Sequence, residues 1–183
     1  FSKDTARLYH YQPMVDEIYR VPVLIVMSPV AKGYILDLAK GQSFIEYFLL
    51  QGHDVYMIDW AGPTRKQSTL DLADYAVHML DGCVQAVLED SGEPDLTLIG
   101  YCMGGMLSSI YTALNPDGAV KNLACFTTPV NGDGMELYKK WLTSPSFDIE
   151  RLVAELGNIP GSFINQSIQA LRPLQRTANQ ARL

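Results

Sequence analysis

The sequence predicts an α/β fold with a mostly parallel sheet and flanking helices, followed by the start of a helical cap insertion. Three observations carry this. Short apolar runs recur along the first 130 positions, and the first of them, "VPVLIVM", is β-branched and uninterrupted by charge, as expected of a strand buried on both faces. Segments of helical period separate them, and parallel neighbours need such crossovers. Beyond Val130 the strands stop and only helical segments continue.

The elements follow in order. Residues 1–20 are polar and aromatic by turns and are expected to wrap the outside of the domain. "VPVLIVM" (Val21–Met27) is the first buried strand, and "SPVAKGY" follows as a loop broken by Pro29 and Gly33. "QSFIEYFLLQGH" places Phe44, Ile45, Phe48 and Leu49 at helical spacing and stops at Gly52. "DVYMIDW" (Asp54–Trp60) is the second strand, closed by the turn "AGPTRK". Thr69–Gly92 reads as one long amphipathic helix. "DLTLIG" (Asp95–Gly100) is the third strand, "GGMLSSIYTALNP" a helix, and Val120–Val130 the fourth strand. The core thus spans 21–130. The cap starts at 131 and runs to 183 through "ELYKKWL", "FDIERLVAEL" and "SFINQSIQALRPL", broken by Gly157, Pro160 and Pro173.

Composition excludes several functions. Fourteen basic against twenty acidic residues give a net charge of −6, and no basic stretch could track a phosphate backbone, so nucleic acid is not an expected partner. Three widely spaced cysteines without a C-x-x-C argue against a disulfide framework or a metal site and for a reducing, cytoplasmic setting. No apolar run is long enough to span a bilayer. The first residue is not Met, so the chain is expected to be cut from something longer.

The chemistry is written in Gly100-Tyr101-Cys102-Met103-Gly104-Gly105, which fits the strand-to-helix elbow G-x-nucleophile-x-G of α/β-hydrolase-like folds. The turn is so tight that side chains two residues either side of the nucleophile would collide, which calls for Gly100 and Gly104. The elbow lifts Cys102 above the carboxyl edge of the sheet, and the N-terminus of the next helix favours a thiolate there. The Met103 amide then faces the oxygen of an acyl group under attack. A second oxyanion donor is expected from the loop after the first strand, with Val30 as the amide or, failing that, Ala31. Cys83, on a helix, and Cys125, in a strand, read as core fillers. A base is harder to find. His10, His53 and His78 all precede Cys102, whereas this fold orders nucleophile, acid, histidine. Lys32, Arg65 and Lys66 are the loop cations near the expected active-site edge; solvated loop charge is the commoner explanation for them, phosphate binding the other.

At these residues the chain resembles the polyhydroxyalkanoate synthases. "GYCMGG" is similar to their cysteine-bearing lipase box, although dienelactone hydrolases carry a comparable G-Y-C-x-G-G. "PVLIVMSPVAKGYILDL", "GHDVYMIDWAGP" and "VKNLACFTTPVN" resemble the synthases' strands. "TLDLADY" stands two residues longer than their T-L-D-D-Y. "FDIERLVAELGNIPGSFINQSIQALRP" looks like the cap of the class III catalytic subunit. The likeness runs from about Tyr9 onward.

The resemblance implies an acyltransferase whose Cys102 carries the growing polyester as a thioester, fed by (R)-3-hydroxyacyl-coenzyme A. Coenzyme A is then part of the substrate, and no cofactor is implied. It also implies a homo- or hetero-oligomer with a non-catalytic partner subunit, and a cytoplasmic site at the polymer granule surface. The family's catalytic Asp and His fall beyond the cap and have no position here, so these residues alone are expected to be inactive. Two other readings remain open: a cysteine hydrolase of the dienelactone type, and a non-catalytic truncated homologue that docks on a synthase or a granule.

Overall fold

In the computed structural model, which describes residues 1–133, 136, 139–140, 143–145 and 147–170, the chain divides into two units. The first comprises Phe1–Gly62 and Thr69–Val130, the second Pro63–Ser68 and Asn131–Leu183.

Six strands build the first unit: β1 (Ser2–Lys3), β2 (Ala6–His10), β3 (Val23–Val26), β4 (Val55–Trp60), β5 (Leu96–Tyr101) and β6 (Val120–Phe126). They lie in the order β1-β2-β4-β3-β5-β6. The neighbours β4, β3, β5 and β6 are parallel, with Ile25 opposite both Met57 and Ile99. Every residue of β3 is buried, which is why it reads as a continuous apolar run, and β4 is buried except for Asp59.

The N-terminus departs from the expected wrap. Ser2–Lys3 and Ala6–His10 form an antiparallel hairpin that joins the sheet beside β4, turning at Asp4 with φ 50°. Ala6 is fully buried and Leu8 packs on the core. Five residues with two inward side chains are too short a pattern to separate from a polar loop.

Three α-helices belong to this unit. α1 (Phe44–Leu50) starts where the Ser43 hydroxyl accepts the Glu46 N–H at 2.9 Å. The expected long helix is a π-helical turn over Asp74–Met79 leading into α2 (Leu80–Ser91), which Gly92 ends at φ 73°. Ala76, Met79, Leu80, Cys83, Val84 and Val87 still form one buried stripe, so hydrophobic spacing alone does not reveal the wider turn. α3 (Met103–Leu114) follows β5 after a single residue, Cys102. β6 ends at Phe126, short of the expected Val130, and five of its seven residues are exposed.

In the second unit, α4 (Ile149–Leu156) is capped by the Asp148 carboxylate, which accepts the Arg151 N–H at 2.8 Å, and ends at Gly157 with φ 80°. α5 covers Gly161–Ala170. The helix read over "ELYKKWL" falls mostly, and the end of the one read over "SFINQSIQALRPL" entirely, outside the described residues. Among those described, no helix is long and apolar enough to cross a membrane.

Candidate active site

β5 runs straight into α3, and the turn between them is a single strained residue. Cys102 adopts φ 54° and ψ −122°, a region L-residues rarely occupy. Its own N–H donates to the Phe126 carbonyl at 2.8 Å, and its carbonyl accepts the Gly105 N–H at 3.0 Å. The side chain is half-buried. Backbone bonds thus hold the elbow from both sides and leave the thiol at the carboxyl edge of the sheet.

The three glycines each answer to a distinct close approach. A Cβ on Gly100 would lie 2.3 Å from the Gly105 Cα, on Gly104 2.0 Å from the Val26 carbonyl oxygen, and on Gly105 1.9 Å from Thr128 Oγ1. Gly100 therefore accommodates the returning helix, in line with the steric argument. Gly104 instead faces β3: the first turn of α3 sits directly on the end of that strand. This contact brings the segment after Met27 beside the elbow.

Met103 is the first residue of α3, so its N–H has no acceptor within the helix. In the loop after β3, the Ala31 N–H is spent on the Ser28 carbonyl at 3.0 Å. The Val30 N–H has only a long contact, 3.4 Å, to Ser28 Oγ. Of the two amides considered in this loop, Val30 is the one less committed. Lys32 is not a free cation: its Nζ donates to the Trp60 carbonyl at 2.8 Å. The next amide, Gly33 N–H, donates to Asp59 Oδ1 at 3.1 Å. Sequence reasoning missed Asp59, whose partner lies 26 residues away.

The histidines lie elsewhere. His10 sits at the amino end of the sheet, its Nε2 2.7 Å from Asp54 Oδ1 and its Nδ1 3.0 Å from Asp90 Oδ2. It stacks on Tyr56 at a centroid distance of 4.0 Å. His53 lies against Tyr19 and Phe48 and lines a cavity of about 560 Å³ with Arg20, Val23, Thr97 and Ile99. His78 is in the π-helical turn, its carbonyl accepting from Lys3 Nζ of β1. Among the described residues no hydrogen bond reaches the Cys102 sulfur. Nor do any described residues form a cluster able to hold a metal ion.

The other cysteines separate. Cys83 is fully buried, and burial pushes its thiol up to about 12, so it stays protonated at neutral pH. Cys125, expected as a core filler, is exposed, its Sγ 3.7 Å from Ser109 Oγ. The reason is its strand: β6 is the edge of the described sheet.

Comparison with known proteins places this geometry. A profile of the alpha/beta hydrolase fold matches residues 34–175, and one of the poly-beta-hydroxybutyrate polymerase (PhaC) N-terminus matches residues 1–48. Poly(3-hydroxyalkanoate) polymerase subunit PhaC of Synechocystis sp. is 38% identical over 180 residues, covering 96% of this chain and 47% of that protein. The subunit of the same name from Allochromatium vinosum is 36% identical, covering 97% of this chain and 50% of its own. The chain therefore spans about half the length of these curated relatives. Among solved structures, the Bacillus licheniformis lipase BlEst2 superposes with a TM-score of 0.59 at 17% identity, over 92% of this chain and 66% of the lipase. A putative lipase from Sulfolobus solfataricus gives 0.59 at 19%, over 84% of this chain and 50% of its own. At such identities the likeness speaks for the fold. Strand order, elbow and sequence agree: the chain belongs to the alpha/beta hydrolase family, and its sequence is similar over nearly its whole length to poly(3-hydroxyalkanoate) polymerase subunits.

Proposed function

We propose that this chain is the nucleophile-bearing part of a polyhydroxyalkanoate synthase, with Cys102 as the residue that carries the acyl chain. The observation that bears most weight is the Cys102 backbone at φ 54°, framed by glycines with no room for a Cβ. Such strain persists only where the surroundings enforce it, and it is typical of reactive positions. The Cys102 thiolate attacks the carbonyl carbon of an (R)-3-hydroxyacyl-coenzyme A. The carbonyl oxygen becomes an oxyanion held by the Met103 and Val30 amides. The carbon–sulfur bond to coenzyme A then breaks, coenzyme A leaves as its thiolate, and the acyl group remains on Cys102. Coenzyme A is part of the substrate, and the step draws on no cofactor. The proton acceptor for Cys102 and for the incoming 3-hydroxyl is assigned to an Asp–His pair outside these 183 residues. On that assignment the 183 residues alone are inactive. A non-catalytic partner subunit, oligomer formation and residence at a cytoplasmic granule surface belong to the same proposal.

The test is polymer synthesis by the full-length gene product that carries this chain. Cys102→Ala is expected to abolish it, a loss of at least about 10³-fold, while Cys83→Ala and Cys125→Ala retain it. Three mutants that polymerise alike would remove Cys102 from this role. Release of free hydroxy acid without chain growth would point to a hydrolase instead.

A further inference from the structure

We propose that Asp59 is a positioning residue for acyl transfer, setting the Val30 amide through the loop that carries it, with Lys32 as a second anchor. The inference rests on the reading of Cys102 and Val30 given above and adds the device that places the second donor. The loop leaves β3 at a buried point: Ser28 is fully buried, and the Met27 carbonyl accepts the indole N–H of Trp60 at 2.6 Å. It is caught again at Lys32 and Gly33. Lys32 Nζ donates to the Trp60 carbonyl at 2.8 Å, and the Gly33 N–H donates to Asp59 Oδ1 at 3.1 Å. All three anchors lie on the last two residues of β4. Between them Val30 stands 44% exposed.

Gly33 shows how closely the loop is drawn in. A Cβ there would lie 2.5 Å from Met57 Cε and 3.5 Å from Asp59 Cγ. Only a residue without a side chain brings its N–H onto the Asp59 carboxylate without displacing Met57. Asp59 is also the one residue of β4 that is not buried, a charged group in a strand otherwise closed to water. A carboxylate accepting a backbone N–H makes a stronger bond than a neutral acceptor does. A loop fixed at both ends presents its middle amide in one place, and a preorganised donor needs no reorganisation as the oxyanion forms. The elbow lies on the same foundation, since Gly104 packs on the Val26 and Met27 carbonyls. Both oxyanion donors are thereby referred to the ends of β3 and β4.

Two reactions of Cys102 separate this role from simple structural support. Acylation by an (R)-3-hydroxyacyl-coenzyme A passes through an oxyanion, whereas alkylation by iodoacetamide does not. In the full-length protein, Asp59→Ala is expected to slow single-turnover acylation by about 100-fold and to leave Cys102 alkylation unchanged. Asp59→Asn, which keeps an acceptor oxygen in place, is expected to restore most of the acylation rate. Should Asp59→Ala fail to fold, Lys32→Met carries the test, with a loss of about tenfold in acylation alone. Unchanged acylation, or acylation and alkylation falling by the same factor, overturns the proposal. A Cys102→Ala protein that is still acylated overturns the underlying reading instead, whatever Asp59 does.

Discussion

The two ends of the parallel sheet are built on opposite terms. At the amino end charged groups stand in pairs. His10 bridges Asp54 and Asp90, the Tyr56 hydroxyl donates to Asp90 Oδ2 at 2.8 Å, and Arg20 reaches both Glu93 and Asp95. At the carboxyl end the pairing is confined to the loop after β3 and the elbow is left open. Cys102 and Thr127, at the ends of neighbouring strands, both carry positive φ, and the Met103 and Val30 amides have weak partners or none within their own elements. The amino end is closed by paired charges, whereas at the carboxyl end the bonds of Lys32, Asp59 and Trp60 pin a loop and the elbow beside it stays open. Stability and chemistry are thus divided along the strand direction, and substitutions at the two ends should fail differently.

The largest expected effect is at the carboxyl end. Gly104→Ala drives a methyl group into the Val26 carbonyl and should cost more than about 3 kcal/mol in denaturant unfolding. Gly105→Ala meets Thr128, which stands in the segment after the edge strand β6 rather than in a buried inner strand and can give way with its backbone, and should cost less. Equal costs would mean that the helix shifts as a body and that the fit to β3 is not the constraint. At the amino end, Tyr56→Phe removes one hydrogen bond from a buried ring and should cost about 1 kcal/mol, with polymer synthesis unchanged. A loss of activity without a loss of stability there would break the division.

The smallest effect is in pH dependence. Hydrogen bonds from Arg20 hold the Asp95 carboxyl below its ordinary range. A lowered folded-state value contributes stability that is fully present above the unfolded value of about 3.9. It is lost as pH falls from there through the folded value. Unfolding midpoints measured from pH 5 down to pH 3 should fall less steeply in Arg20→Gln than in the unaltered protein. Parallel curves would show that the pair contributes nothing.

Much of this was legible in the residues. β3 is buried on both faces and carries an unbroken apolar run, β4 and β5 are buried at most of their positions, and the glycines around Cys102 mark a turn that tolerates no side chain. The edge hairpin was not legible, because Ala6 and Leu8 are too few to set a period. The loop anchors were hidden for another reason. The bond from Gly33 to Asp59 joins positions whose local patterns are a loop and a strand, and only the sheet order brings them together. The π-helical turn keeps the buried stripe of a regular helix, and Cys125 looks internal because it stands in the apolar run Leu123–Phe126, although β6 is at the edge of the described sheet.

The most direct test is to trap the acyl adduct. The full-length protein would be mixed with an (R)-3-hydroxyacyl-coenzyme A, quenched in acid within one turnover, digested, and mapped by mass spectrometry. The added acyl mass is expected on the peptide that carries Cys102, with the Cys83 and Cys125 peptides unmodified. Coenzyme A release with the acyl mass on another peptide, or on none, would contradict the assignment of Cys102 as the nucleophile.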